Sequence, residues 1–366
     1  MEFVVSIEEA FSLHQLGWTE DLDRKLAALA PELSSRLAWR VARVDRGGAC
    51  AVLGPAGIRR ASTTPGRSEV TVGDWVVLDA AQRISAVLPR RSVFVRAAAG
   101  TESVPQAVAA NVDTALVVAV AADPKPRRIE RALALAWSSG SVPVVVLTKA
   151  DESPDPAGAL EEVMAVTLGA ELLLTSAVDG RGLPELGRLC APGTTAVLLG
   201  PSGAGKSSLV NALAGEKLLA VGDVRRDGRG RHTTAARQLV VLRSGGVVID
   251  TPGLREIGLF DAEEGLDAVF ADLTALAASC RFSDCSHRTE PGCSVLAAID
   301  GGSLSPERLS SWRKLEGELH RQEARIDARA AREERRRWKA LSQQSRQGQA
   351  RRGHGPRSPR RRRPTA

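Results

Sequence analysis

The stretch TTAVLLGPSGAGKSSLVNALAG, Thr194–Gly215, contains three readings in a row. Its first residues are an apolar run of strand length, and its last are an apolar-rich helical pattern. Between them, Gly200 to Ser207 satisfies G-x-x-x-x-G-K-[ST]. The pattern has a mechanical reason. Gly200, Gly203 and Gly205 let the backbone turn so that successive N–H groups point inward around a phosphate at a helix N-terminus, with Pro201, Ser202 and Ala204 completing the wrap. Lys206 has the reach for β- and γ-phosphates, the Ser207 hydroxyl suits Mg2+, and Ser208 follows in the first helical turn. Strand, loop, helix is the context this motif requires, so a phosphate-binding loop in an α/β domain is expected.

Downstream, VVIDTPG (Val247–Gly253) ends an apolar strand on Asp250. A carboxylate there would stand beside the phosphate loop and hold Mg2+ through water, and Gly253 would offer its N–H to a γ-phosphate. The loop between the two motifs, GDVRRDGRGRHTTAAR, is basic and poor in apolar residues. Thr233 or Thr234 in it could complete the Mg2+ shell.

The piece that would read the base lies upstream. Guanine needs a carboxylate to accept from N1–H and N2–H, and a lysine stem along the purine ring. VVVLTKAD (Val144–Asp151) supplies Lys149 and Asp151 at a strand's C-terminal end. One βαβ unit later, LLLTSA brings Ser176 and Ala177, which fit a loop whose backbone contacts guanine O6. Thr148 stands where many GTPases have Asn, which weakens or alters one side-chain contact near the base.

Around this core the chain changes character. From Trp39 to Arg96 it reads as short strands, AWRVARVD, ACAVLG, VGDWVVLD and RISAVLP, separated by Gly- and Pro-bearing turns, a spacing that suggests a small barrel. EDLDRKLAALA, ahead of it, reads as a short helix. From Asn111 strands and helices alternate, implying a mainly parallel sheet covered by helices. Past Ala262 the pattern is helical and includes Cys280-x4-Cys285-x-His287-x5-Cys293. Three thiolates and an imidazole make a closed tetrahedral set of the structural-zinc kind. Cys50 and Cys190 are remote from it and read as ordinary buried residues. A further helix, rich in Arg and Glu, runs from Pro306 to about Leu341.

With 366 residues, 43% apolar and 25% charged, the chain has the composition of a soluble protein of two or three domains. No apolar run approaches the ~20 residues that span a bilayer, and MEFVVSIEEAFSLHQLGW lacks a basic start. A cytoplasmic location, without membrane association, is therefore expected, with reduced or metal-bound cysteines. The net charge of +7 is a property of one end. Arg346 to Ala366 holds eight arginines and no acid, and the remainder has 42 basic against 43 acidic residues. That end reads as an arm able to neutralise phosphates, or as a solubilising tail with no specific partner.

The order of motifs (base reader, Thr-Ser-Ala, phosphate loop, switch threonines, Asp-Thr-Pro-Gly) is not that of an ordinary small GTPase, which places its base reader last. It resembles the circularly permuted GTPases. Together with VGDWV, VLPRRSVFVR, AANVDTALVV, GRHTT, DTPGLREIGL and the Cys/His cluster, it is similar over nearly the whole chain to the ribosome small-subunit-dependent GTPase A (RsgA) family. The resemblance implies an N-terminal helix and OB-fold β-barrel over 1–97 and a central α/β circularly permuted P-loop GTPase domain over 98–262. An α-helical zinc-binding domain over 263–345 and a disordered Arg-rich tail over 346–366 would follow. It implies GTP hydrolysis to GDP and phosphate, stimulated by the small ribosomal subunit, in late assembly of that subunit through GTP-dependent binding and release on rRNA.

The site residues would then divide by role. Thr148, Lys149, Asp151, Ser176, Ala177, the loop Gly200–Ser208, Asp250 and Gly253 would bind GTP. Ser207, Thr234 and Asp250 would hold Mg2+, and Cys280, Cys285, His287 and Cys293 one structural Zn2+. Leu254 occupies the place of the Gln that orients water in Ras-like enzymes. His232 is the candidate to align water in its stead, with Lys206 and Thr234 in the catalytic set and Arg231 beside them. Nothing in the sequence demands more than a monomer. The alternative reading is a GTP-gated RNA-binding module with negligible turnover, for which Leu254 leaves room.

Overall fold

The computed structural model describes residues 11–29, 38–45, 47–63, 69–97, 105–216, 219, 237–250 and 262–324. A helix, α1 (Glu20–Leu29), precedes five short strands: β1 (Ala38–Val44), β2 (Ala49–Gly54), β3 (Gly57–Ser62), β4 (Trp75–Leu78) and β5 (Ile84–Val87). β1 pairs antiparallel with both β2 and β4, β2 with β3, and β4 with β5. A parallel bridge between Ser62 and Arg83, with Ser62 N donating to Gln82 O at 3.2 Å, closes β3 onto β5. The circuit 1-2-3-5-4-1 is the strand order of an OB-fold barrel. All five strands contribute to its interior: Trp39 and Val41, Cys50 and Val52, Ala61, Val76, Ile84. The sequence pattern misses β3 because GIRRAS turns Arg59 and Arg60 outward and buries little besides Ala61.

The opposite face of β1 and β4 is buried too. Trp75 meets Trp18 edge-on at 4.7 Å, and the Arg40 guanidinium lies 5.3 Å from the Trp75 ring centroid. Arg40 is wholly buried and donates to the carbonyls of Leu16 and of Asn111, the latter at 3.0 Å. Burial lowers its pKa to about 10. A single arginine thus ties the N-terminal segment, the barrel and the entrance to the next domain. A hairpin of β6 (Val93–Ala97) and β7 (Pro105–Ala110) makes the passage and crosses the expected 97/98 boundary.

The central sheet contains β8 (Thr114–Val120), β9 (Val142–Thr148), β10 (Glu171–Leu174), β11 (Thr195–Leu199), β12 (Gln238–Val241) and β13 (Val247–Asp250) in the order 10-9-8-11-13-12. Every pair is parallel except β12–β13, and β1 of the barrel joins β12 at Arg43 and Gln238. Strands buried on both faces read as unbroken apolar runs. Leu116, Val118, Val144, Val146, Ala196 and Leu198 face α4 (Leu183–Leu189) and α5 (Lys206–Ala214). The alternate residues, Val117, Ala119, Val145, Leu147, Val197 and Leu199, face α2 (Pro126–Ser138) and α3 (Pro156–Met164). Both of the latter helices start on a proline, whose missing N–H costs nothing in the first turn.

Beyond the central sheet lie α6 (Glu263–Val269), α7 (Ala271–Ala277), α8 (Ser294–Asp300) and α9, helical over 306–324. α6 lies so close on α2 that a Cβ at Gly265 would collide with the Ala134 carbonyl and the Ser138 hydroxyl. Arg308 of α9 fastens the contact. It donates to Glu130 of α2 at 2.9 Å, to both Asp272 oxygens at 2.7 and 2.9 Å, and to Val269 O at 2.7 Å. Its guanidinium lies 4.7 Å from the Phe270 ring centroid. Glu130 is 1% exposed, and burial raises its pKa even though the Ser311 hydroxyl and Arg308 hydrogen-bond to it. No helix among the described residues is long and apolar enough to cross a membrane.

Candidate nucleotide site and metal centre

The phosphate loop leaves β11 at the point where the strand order reverses: β8, β9 and β10 run outward to one side, β13 and β12 to the other. In open α/β sheets the crevice at this reversal, past the carboxyl ends of the strands, is where ligands bind. Gly200 (φ 155°) passes against the Val118 carbonyl, where a Cβ would collide, and Gly203 (φ 80°) and Gly205 (φ 84°) adopt backbone that favours glycine. No side chain caps the N-terminus of α5, so the N–H groups of its first turn are left for a ligand. Lys206 folds back over the loop, donating to the carbonyls of Gly200 at 2.9 Å and Pro201 at 2.7 Å.

Asp250 ends β13, the strand beside β11, and is 4% exposed. Burial pushes its carboxyl up, and the Lys206 ammonium pulls it partly back. Ser207 lies in the first turn of α5, directly after the loop. A hydroxyl and a carboxylate form an oxygen-only donor set, which fits Mg2+.

The base-reading segment is joined to this loop by one side chain. Thr148, at the end of β9, is buried, and its hydroxyl lies 3.1 Å from Ala119 O at the end of β8 and 2.8 Å from Ala204 O in the phosphate loop. The threonine thus spans three strand ends, and its side chain is spent on backbone carbonyls. Next to it, Lys149 is held at φ 56° and pairs with Glu152 at 3.1 Å. Such left-handed backbone in a non-glycine residue is strained. Asp151 is exposed, with no hydrogen bond to another described residue. The second loop is stitched alongside: Ala150 N donates to Thr175 O at 3.1 Å. Ser176 is fully buried and turns its hydroxyl inward, accepting from the N–H groups of Val178 and Asp179 at 3.1 and 3.2 Å. Thus Thr148, Lys149, Asp151, Ser176, Ala177, the loop 200–208 and Asp250 converge on one end of the sheet. His232, Thr234 and Gly253, with Arg231, Thr233 and Leu254, lie outside the described residues, as does 346–366.

A model of the RsgA GTPase family matches residues 87–260. The "Small ribosomal subunit biogenesis GTPase RsgA" of Streptomyces avermitilis is 48% identical over 336 residues, 88% of this chain and 90% of that protein. The chain belongs to the RsgA GTPase family. The protein of the same name from Methanosarcina acetivorans is 40% identical, over 89% of this chain and 90% of its own. Among solved structures, YjeQ from Thermotoga maritima matches with a TM-score of 0.56 at 25% identity, covering 77% of this chain and 98% of its own. YloQ, a circularly permuted GTPase, has a TM-score of 0.53 at 22% identity, covering 78% and 95%, and shares the fold. Family members are GTP hydrolases with the permuted motif order, and the chain passes from the base-reading half to the phosphate-loop half through the connection from α4 to β11. The base-reading half, β8 to β10, is made before the phosphate loop.

The zinc ligands expected from sequence come together. The ligand atoms of Cys280, Cys285, His287 and Cys293 all lie within 4.8 Å of one another. Cys280 Sγ and Cys293 Sγ are 3.9 Å apart, and His287 Nδ1 is 3.6 and 3.4 Å from them. Tetrahedral bonds of ~2.3 Å to sulfur and ~2.0 Å to nitrogen demand edges of about 3.5–3.8 Å, so the set fits Zn2+. Outer contacts brace it. Arg313 donates to the His287 carbonyl, Trp312 meets the imidazole edge-on at 5.9 Å, and Leu296 N donates to Cys293 Sγ at 3.4 Å. Glu290 organises the loop, accepting from the N–H groups of Ser286, Arg288 and Thr289 at 3.0, 2.7 and 3.0 Å, and from the Ser286 hydroxyl. These contacts, the Ser286 hydroxyl foremost, hold its carboxyl down at about 2. Sequence reading passed over Glu290, Thr148's part in the phosphate loop, and the Glu130–Arg308 clamp. Glu130 and Arg308 belong to no motif, and the motifs that contain Thr148 and Glu290 do not specify which backbone groups those side chains reach.

Proposed function

We propose that this family member hydrolyses GTP in the biogenesis of the small ribosomal subunit, with the subunit itself as activator and rRNA as its contact. The Thr148 hydroxyl carries the reading, because it ties the base-reading loop and the phosphate loop into one site across β8. The name of the relatives, small ribosomal subunit biogenesis GTPase, supports the ribosomal role. On this reading Asp151 accepts from guanine N1–H and N2–H, the Lys149 stem lies along the purine, and the backbone at Ser176–Ala177 meets O6. The N–H groups of Gly200–Ser208 wrap the phosphates. Lys206 exchanges the carbonyls of Gly200 and Pro201 for β- and γ-oxygens, so its charge is in place before the substrate arrives. Ser207, Thr234 and Asp250 would hold Mg2+, which neutralises charge on those oxygens when bound.

Gly253 N–H meets the γ-phosphate, and His232 aligns a water whose oxygen attacks phosphorus as the bond to the β–γ bridging oxygen breaks, giving GDP and phosphate. Leu254 cannot orient that water, so turnover is slow alone and rises when the subunit supplies the missing contacts. The chain acts as a cytoplasmic monomer. Its parts are the barrel (1–97), the G domain (98–262), the zinc domain (263–345) and the arginine arm (346–366). The test is GTP turnover by the full chain alone, with small subunits, and with large subunits. Stimulation by small subunits only is expected. Equal, feeble turnover in all three would transfer the reading to a GTP-gated RNA binder. His232→Ala retaining full stimulated turnover would remove His232 from the mechanism.

A further inference from the structure

The chain has twelve aromatic residues, six Trp and six Phe. Among the described residues Phe282 is the only exposed one: 42% of it faces solvent, whereas the other aromatics are buried or half-buried. It sits inside the zinc loop, between the ligands Cys280 and Cys285. We propose that Phe282, with Arg281 beside it, is a stacking platform for an unpaired RNA base. The proposal rests on the reading of this chain as a factor that touches ribosomal RNA.

Three observations support it. First, the ring is presented on fixed backbone. Arg281 N donates to Gly292 O at 3.2 Å and Cys285 N to Phe282 O at 3.3 Å, pinning the main chain on both sides. Only two side-chain torsions are left to freeze when a partner binds, so ordering costs little. Second, the ring has a cation in place. The Arg281 guanidinium lies 5.5 Å from the ring centroid, and the Arg281 stem passes over Gly292, where a Cβ would stand 3.1 Å from Arg281 Cβ. Unpaired bases stack on aromatic rings and on arginine planes, and here both stand together. Third, the surrounding charge suits a phosphate backbone. Arg281 and Arg288 are exposed. The Glu290 carboxylate is turned into the loop by its four donors, which leaves Asp284 as the loop's one exposed carboxylate. An apolar protein-docking patch would need further large exposed apolar side chains around the ring, and besides Pro291 the loop has none.

The experiment uses the full zinc-loaded chain and fluorescein-labelled single-stranded RNA, one oligonucleotide intact and a second of equal length with abasic residues. Binding by Phe282→Ala, Phe282→Leu and Phe282→Trp is read as anisotropy, with zinc content and thermal midpoint as controls for folding. Alanine and leucine should each weaken intact RNA by about 5- to 150-fold, the range of single base–aromatic stacks, and tryptophan should bind at least as tightly as wild type. On abasic RNA the four proteins should be alike. Unchanged binding by Phe282→Ala overturns the proposal. So does wild-type affinity in Phe282→Leu, which would make the ring an apolar contact for a protein. A chain that stacks RNA in this assay but ignores small subunits would sink the ribosomal reading and leave the platform standing.

Discussion

Replacing Arg308 with Met should undock the C-terminal helices from the G domain. Arg308 and Glu130 are 5% and 2% exposed at their side chains and 2.9 Å apart. Removing one partner of such a buried pair costs about 3–5 kcal/mol, because the other charge is stranded. The Asp272 arm adds little, since its side chain is 31% exposed and water replaces the guanidinium there. About 3 kcal/mol corresponds to a ~140-fold rise in local opening at 1.4 kcal/mol per tenfold. Amide exchange in α6 and α9 reads it directly. Glu130→Met combined with Arg308→Met should restore most of the protection, because neither charge is then buried.

The pH dependence has a definite sign. Burial already raises the Glu130 pKa above its ordinary 4.5, and loss of Arg308 raises it further. Between 4.5 and the folded value, the native state binds more protons than the unfolded one. Stability therefore falls as pH rises through that window, and the variant should be less damaged near pH 5 than near pH 8. Unchanged protection in Arg308→Met, or a defect that grows as pH falls, would refute the reasoning.

Other outcomes follow from the nucleotide site. Thr148→Val removes the one hydroxyl proton shared between the carbonyls of Ala204, the nearer at 2.8 Å, and Ala119, and unties the two loops, so GTP affinity should drop by about tenfold in equilibrium titration, for a lost bond of ~1–2 kcal/mol. Asp151→Asn should weaken GTP at least 100-fold relative to wild type while improving XTP, whose 2-oxo group accepts from the new amide; unchanged preference in competition binding would count against Asp151. Asp250→Asn should abolish turnover yet raise the thermal midpoint of the nucleotide-free protein. Its carboxyl is raised by burial, so the native state holds the extra proton above the usual 3.8, and ionisation at neutral pH destabilises the fold. A lowered midpoint would overturn that account.

Much of this was legible in the sequence because the chemistry is local. A phosphate loop needs glycines at fixed spacing on a strand–helix junction, a zinc knuckle needs four ligands within fourteen residues, and strands buried on both faces show as VVVLT and TALVVAV. The permutation was legible too, since it is an order of motifs along the chain. Elements without such signals were not. β3 carries two consecutive exposed arginines, and α4 is only seven residues long, its Leu183, Leu186 and Leu189 interrupted by Pro184 and Gly187.

Contacts between distant segments only the tertiary structure could decide. Glu130 and Arg308 are 178 positions apart, Arg40 and Asn111 71, and Thr148 and Ala204 56. In sequence Glu130, Arg308, Arg40 and Asn111 are ordinary polar residues, and the motifs that contain Thr148 and Ala204 do not show that the two meet. The roles of Thr148, Arg40, Arg308 and Glu130 come from burial, which removes water as a partner and leaves the hydroxyl, guanidinium or carboxylate to whatever the fold brings within about 3 Å. Motifs name the ligands of this protein, and packing determines which parts of it are tied together.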